Sequence, residues 1–301
     1  MNWRLGVAGS PIEHSLTPQL HDAALAMEGL EGSSRRVELG AKDKTKLNKV
    51  MRKEFDALSI TMPLKGFGVE ICDELDEVAT RTGSVNSLLM RDGKLLGAST
   101  DGDGFVNALR GQFGTNVEGT HVVVLGAGGA ASAIVDALVR HGVASVAVHA
   151  RNEAKVEALV ARYDHVYDFS LTYRPVDVIV NTTPVAGRAD DVAVMQGVGA
   201  HTIAIDITYE PRMSAWRVAD NSTSRNRASR EWRELDTASH APAIISRRMS
   251  EKHSTRRCPM RRWRNKVFIE CRAGCSSTAR GAAPAGMRSD DLRLSTHDAP
   301  T

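Results

Sequence analysis

Thr120-His121-Val122-Val123-Val124-Leu125-Gly126-Ala127-Gly128-Gly129-Ala130-Ala131-Ser132-Ala133-Ile134-Val135-Asp136-Ala137-Leu138 is the stretch whose reading decides the fold. His121 to Leu125 is an apolar, β-branched run without alternation, the pattern of a strand buried on both faces of a parallel sheet. Gly126, Gly128 and Gly129 follow at once. The Ala-rich segment Ala130 to Arg140 has helical composition, and Gly142 stands where a helix C-cap belongs. Strand, glycine turn and helix together predict a dinucleotide-binding turn. There the glycines, with Ala127 and Ala130, let the backbone approach a pyrophosphate met by helix N-terminal N–H groups.

The spacing is G-x-G-G-x-A rather than strict G-x-G-x-x-G, so the next strand matters. That strand, Ser145 to His149, leads into Ala150-Arg151-Asn152, with no Asp or Glu at its end. An acidic residue there would suit the ribose 2′-hydroxyl of NAD, whereas Arg151 suits the 2′-phosphate of NADP. The expected cofactor is NADP, with Arg151 and Asn152 at its adenosine end.

The 301 residues are enough for two domains. No run approaches the length of a membrane span and the start has no signal-peptide core, so a cytoplasmic protein is expected. The four cysteines lack paired C-x-x-C spacing, and no metal is expected. The net charge of +3 is unevenly spread. Residues 1–216 hold 21 Lys and Arg against 27 Asp and Glu, residues 217–301 hold 18 against 9.

Read from the start, Leu5 to Ala8 is a strand, and a loop from Gly9 leads to a helix for which Thr17 is the expected N-cap and Pro18 the first residue. Strand Arg35 to Leu39, helix Lys44 to Glu54 and strand Ala57 to Thr61 follow, an α/β alternation. Ser87 to Arg91 and Lys94 to Gly97 make a hairpin through Asp92-Gly93. Thr100-Asp101-Gly102 opens a further helix. Strands Val176 to Val180 and Thr202 to Ile205 end in Asn181-Thr182-Thr183-Pro184 and Asp206-Ile207-Thr208-Tyr209-Glu210-Pro211. The fold class is α/β with two domains, an N-terminal α/β domain over 1–101 and a Rossmann-like parallel-sheet domain over 102–216.

Loops at strand ends carry Ser15, Thr17, Thr61, Lys65, Asn86, Asp101 and Tyr209. Hydroxyls can hold a carboxylate, an amide and a carboxylate can orient ring hydroxyls, and a lysine can serve an alkoxide forming during hydride transfer. The target suggested is a small polyhydroxylated carboxylic acid. Singly, each residue has a plainer reading: Ser15, Thr17 and Asp101 as helix caps, Lys65 as an exposed lysine opening a helix.

Taken in order, the motifs resemble the shikimate dehydrogenase family over residues 4 to about 216. They are Gly9-Ser10-Pro11-Ile12-Glu13-His14-Ser15-Leu16-Thr17-Pro18-Gln19-Leu20-His21, Ser59-Ile60-Thr61-Met62-Pro63-Leu64-Lys65, Gly83-Ser84-Val85-Asn86-Ser87 and Thr100-Asp101-Gly102. The glycine turn and the loops from Asn181 and Asp206 complete the set. The resemblance implies NADP-dependent, reversible reduction of 3-dehydroshikimate to shikimate in aromatic amino-acid (chorismate) biosynthesis. It implies Lys65 and Asp101 as the catalytic pair, and Ser15 and Thr17 on the substrate carboxylate. Thr61, Asn86 and Tyr209 would line the pocket, with Thr182 and Thr183 beside the cofactor. A monomer or homodimer is expected, with no nucleic-acid or membrane partner. Thr17 stands for the family's usual second serine, a change shared with relatives that accept quinate. Ser99 and Ala150 stand where the family often has asparagine.

The segment 217–301 departs from the family. It has only nine Val, Ile, Leu or Phe among 85 residues, too few to offset ordering entropy. The family's Gly-Leu-x-Met-Leu stretch and the following glutamine-bearing helix are missing. A reading-frame shift in a GC-rich gene accounts for the abrupt change after Trp216, and the tail is then expected to be non-native and disordered. A basic nucleic-acid-binding extension is the other reading, and a nucleotide-binding remnant without a competent substrate site is a third.

Overall fold

The computed structural model describes residues 2–169, 175–184 and 198–207, with only the backbone of 198–201. Tyr209 and the segment 217–301, including its expected disorder, lie outside the described residues. The mixed α/β architecture is built on two sheets. The first has the order β2-β1-β3-β5-β6-β4 and the second β11-β10-β7-β8-β9.

The first sheet contains β1 (Asn2–Gly9), β2 (Glu31–Glu38), β3 (Ala57–Ile60), β4 (Glu74–Leu75), β5 (Ser87–Arg91) and β6 (Lys94–Ala98). β1 pairs in parallel with both β2 and β3, and β5 is antiparallel to β3 and β6. Around it lie α1 (Thr17–Met27), α2 (Lys44–Glu54), α3 (Lys65–Ile71) and α4 (Glu77–Thr82). One face of the sheet closes over Leu39, Leu47, Met51, Phe55, Leu58 and Leu88, all buried. Asp92 and Gly93 both take positive φ, as a two-residue hairpin with right-handed strand twist demands.

The second sheet is wholly parallel: β7 (His121–Leu125), β8 (Ser145–His149), β9 (Val166–Asp168), β10 (Val176–Asn181) and β11 (Val198–Asp206). Val122, Val123, Val124 and Leu125 are all buried, which is why β7 reads as an unbroken apolar run. α6 (Gly129–Arg140) and α7 (Glu153–Val160) follow β7 and β8. Strand order reverses between β7 and β10, and open α/β sheets bind ligands at such a crevice.

α5 (Asp101–Phe113) leaves the first sheet and packs along α6 of the second. Gly102 permits that approach, since a Cβ there would lie 2.1 Å from the Ala133 carbonyl oxygen. Polar bonds add to this joint. Ser132 Oγ and Arg162 Nη1 both donate to the Thr82 carbonyl, at 2.8 and 3.0 Å. Buried Asp136 accepts from Arg81 Nε, Arg140 Nε and the Tyr163 hydroxyl. Burial works to raise the Asp136 pKa, but the hydrogen bonds from Arg81 and Arg140 outweigh it and hold the carboxyl below its usual range.

The structure corrects local readings here: β2 spans Glu31–Glu38 rather than Arg35 to Leu39, and Thr17 is not the N-cap of its helix. Thr17 is the first residue of α1 and Leu16 the N-cap, with no side-chain capping bond. Four residues on, His21 is buried between strands, its Nδ1 2.8 Å from Ser34 Oγ and its Nε2 3.3 Å from Ser59 Oγ. Burial pushes the imidazole pKa down from 6.5 to about 4, so His21 is neutral in the fold. As pH falls below 6.5 the unfolded chain gains a proton that the folded chain refuses until about pH 4. Acidification through that window therefore costs stability. Between pH 7.5 and 5 this one group should remove about 2 kcal/mol. Denaturant unfolding should show His21→Gln losing less stability than wild type over that interval by about this amount, and parallel pH profiles would refute the linkage.

Candidate functional site

The first sheet gathers its polar loops at one edge. The loops leaving β1 and β3 are tied by the Ser10 N–H donating to the Met62 carbonyl at 2.9 Å. Because β5 runs antiparallel to β3, Asn86, the residue just before β5, arrives at the same edge, and its carbonyl accepts the Ile60 N–H at 2.8 Å. β6 ends there too, delivering Thr100 and Asp101. Sheet topology alone thus brings Ser15, Thr17, Thr61, Lys65, Asn86 and Asp101 to the same edge.

Lys65 opens α3 and Asp101 opens α5, and Lys65 Nζ lies 2.5 Å from Asp101 Oδ2. Their side chains are only 16% and 10% exposed, so Lys65 is not the solvated lysine of the plainer reading. The other carboxylate oxygen of Asp101 accepts from Asn86 Nδ2 at 2.7 Å. The Asn86 amide is itself held, donating to Thr100 Oγ1 and accepting the Thr100 N–H, both at 2.9 Å. Asp101 is therefore gripped at both oxygens, one by a cation and one by an oriented amide. Neither Asp101 nor Thr17 serves as a helix N-cap.

Ser15 and Thr17 are both buried, and Ser15 Oγ donates to Thr17 Oγ1 at 3.0 Å. Thr61 sits half-buried at the end of β3, its N–H on the Ala8 carbonyl.

The second half of the site lies at the β7–β10 crevice. Gly126 takes φ +117, which L side chains rarely adopt, and a Cβ there would meet Thr182 Oγ1 at 2.3 Å. Thr182 Oγ1 donates to the Leu125 carbonyl at 2.7 Å, while Thr183 bonds the Asn181 side chain through both its N–H and its hydroxyl. Gly128 is the N-cap of α6 and offers no side chain to the first-turn N–H groups, which α-helix geometry leaves without intrahelical acceptors. A Cβ on Gly128 would meet no atom within 4 Å. Ala127 and Ala130 flank this turn, both half-buried. Arg151 is exposed just beyond β8, and Asn152 caps α7 through the Lys155 N–H.

These residues fit a dinucleotide. An uncapped helix N-terminus of 12 residues faces an open glycine cradle at the switch point, with an arginine beyond the neighbouring strand. The two halves also meet. A Cβ on Gly129 would lie 3.1 Å from Lys65 Cβ and 2.7 Å from Ser84 Oγ, a buried hydroxyl with no hydrogen-bond partner among the described residues. The glycine turn therefore abuts the lysine stem.

Sequence reasoning passed over Thr100 as the partner of Asn86, and Arg36, whose guanidinium grips the Ser15 carbonyl. The Thr-Asp-Gly motif carried a signal for the first. Nothing in the sequence marked the second.

The model of the shikimate dehydrogenase substrate-binding domain matches residues 7–88, and that of shikimate / quinate 5-dehydrogenase matches 108–209. The shikimate dehydrogenase (NADP(+)) of an Exiguobacterium species is 36% identical over 211 residues, covering 69% of this chain and 78% of that protein. Its Staphylococcus epidermidis counterpart is 30% identical over 220 residues, covering 69% and 79%. Among solved structures, the shikimate 5-dehydrogenase of Thermus thermophilus in complex with NADP(H) and shikimate is 27% identical with a TM-score of 0.67, covering 82% of this chain and 92% of that one. With both family models in order along the chain and the described motif residues at the strand ends of the two sheets, the chain belongs to the shikimate dehydrogenase family.

Proposed function

We propose that the chain reversibly reduces 3-dehydroshikimate to shikimate with NADPH, the step that serves aromatic amino-acid biosynthesis. The observation that carries this reading is the Lys65–Asp101 pair lying against the glycine turn. Residues 1–101 would form the substrate lobe and 102–216 the NADP lobe.

The nicotinamide, when bound, supplies the hydride. Lys65 Nζ donates a proton to the substrate carbonyl oxygen as that hydride reaches the carbonyl carbon, so the C=O becomes CH–OH. The proton lost from Lys65 returns from solvent. Asp101 orients the lysine ammonium and accepts a hydrogen bond from the neighbouring substrate hydroxyl, and Asn86 keeps its carboxylate in place. Ser15 and Thr17 donate to the substrate carboxylate, while Thr61 lines the ring pocket. Gly126 to Ala130 would hold the pyrophosphate, Thr182 and Thr183 would lie beside the cofactor, and Arg151 would hold the 2′-phosphate with Asn152 beside it. Ser84 Oγ, buried next to Gly129 and without a partner among the described residues, is a further hydroxyl at the seam between turn and lysine.

Quinate is a second substrate candidate, because threonine at position 17 resembles relatives that accept quinate. The alternative of an impaired nucleotide-binding remnant rests on the sequence of residues 217–301, in which the family's Gly-Leu-x-Met-Leu stretch is not found. Turnover separates it from the enzyme.

Lys65→Ala should lower the rate of NADPH oxidation with 3-dehydroshikimate by about 100-fold or more while the chain stays folded. Turnover near wild type in that variant would remove Lys65 from the chemistry. Because Arg151, not a carboxylate, follows β8, NADPH should bind about tenfold or more tightly than NADH. Fluorescence titration should find that preference largely gone in Arg151→Ala. Equal wild-type affinities for the two nucleotides would refute the assignment.

A further inference from the structure

Edge strand β2 carries more than sheet pairing. Ser34, Arg36 and Glu38 alternate along it and so share one face. The opposite face is spoken for: Arg35 pairs with Glu54 and lies 4.6 Å over the Phe55 ring, and Val37 packs on the Leu39 and Leu47 core. Each of the three alternating residues bonds the segment that bears Ser15 and Thr17. Glu38 Oε1 accepts from Ser10 Oγ at 2.8 Å, at the beginning of the loop. Arg36 donates Nε and Nη2 to the Ser15 carbonyl at 2.9 and 2.5 Å, and Nη2 also reaches Gln19 Oε1 at 3.3 Å. Ser34 Oγ meets His21 Nδ1 at 2.8 Å, in the second turn of α1.

We propose that this face of β2 is a polar rail that sets the substrate-carboxylate loop, with Arg36 as a positioning residue acting through Ser15. The proposal rests on the reading of Ser15 and Thr17 as the carboxylate hydroxyls. Two guanidinium N–H groups on one carbonyl pin the Ser15–Leu16 peptide, and that peptide fixes where the two buried hydroxyls point. Lysine cannot reproduce the grip, since a single ammonium lacks the planar fork. The guanidinium also brings positive charge beside a site that must attract an anion. Exposure of Arg36 does not argue against the role, because a positioning group needs only its bonds to the loop, not burial.

The test compares wild type, Ser15→Ala, Arg36→Met, Arg36→Lys and Ser15→Ala/Arg36→Met in the full chain. Shikimate affinity is measured by calorimetry without nucleotide, NADP+ affinity in a separate titration without shikimate, and amide exchange over residues 12–21 is followed without ligands. Arg36→Met should weaken shikimate binding about tenfold, leave NADP+ affinity at the wild-type value and speed exchange over that segment. Arg36→Lys should recover part of both effects. In the Ser15→Ala background, Arg36→Met should cost clearly less than its tenfold effect in wild type, because one of the two hydroxyls it places is already gone. Wild-type affinity in Arg36→Met, or full additivity in the double variant, would overturn the proposal. Should Ser15→Ala bind shikimate like wild type, the carboxylate reading falls instead. The exchange data then decide the rail alone, unchanged rates overturning it and faster rates sustaining it.

Discussion

The ion pair between Lys65 and Asp101 is the interaction on which the arrangement turns, because each partner opens a different helix. Lys65 begins α3 after β3, and Asp101 begins α5, the helix that departs for the second sheet. Withdrawing two charges from water is costly, and a poorly held pair would lose more to desolvation than it gains. Here Asn86 satisfies the second carboxylate oxygen and is itself braced by Thr100, so the charge is met on both sides. The outcome is a cation held at a fixed point on the sheet edge.

That point is useful only if the dinucleotide turn comes to it. Two close approaches see to this. Gly102, directly after Asp101, lets α5 run against the α6 backbone, and Gly129, the first residue of α6, lets the turn rest on the Lys65 stem. Both glycines are helical in an ordinary sense, and what they supply is missing bulk rather than an unusual conformation. Gly126 is different, needed for its positive φ above the Thr182 hydroxyl. The Asp136 cluster with Arg81, Arg140 and Tyr163 braces the same joint further along α6.

Much of this was legible in the sequence where burial is complete or a turn has strict demands. β7 and β8 fall where the apolar runs predict, and the Asp92-Gly93 hairpin follows from positive φ at both positions. The short elements α4, α7, β4 and β9 carry too few residues for a period to show, whereas α3 does open at Lys65 as the plainer reading has it, in spite of two glycines that argue against a helix. β2 begins earlier than its apolar end suggests, because as an edge strand it presents polar residues over most of its length. The set of site loops could be read from residue types, but their bonding could not. Thr17 looked like a cap and instead accepts from Ser15, and nothing local ties Arg36 to a carbonyl 21 positions earlier.

The central claim is that Lys65 and Asp101 act as one unit in the chemistry. A double-mutant cycle on the rate of NADPH oxidation with 3-dehydroshikimate, using Lys65→Ala, Asp101→Ala and the double variant, tests it most directly. A unit predicts strong non-additivity, the double variant being slower than the worse single one by no more than about threefold. If the two losses simply multiply, the residues contribute separately and the account of the pair is wrong.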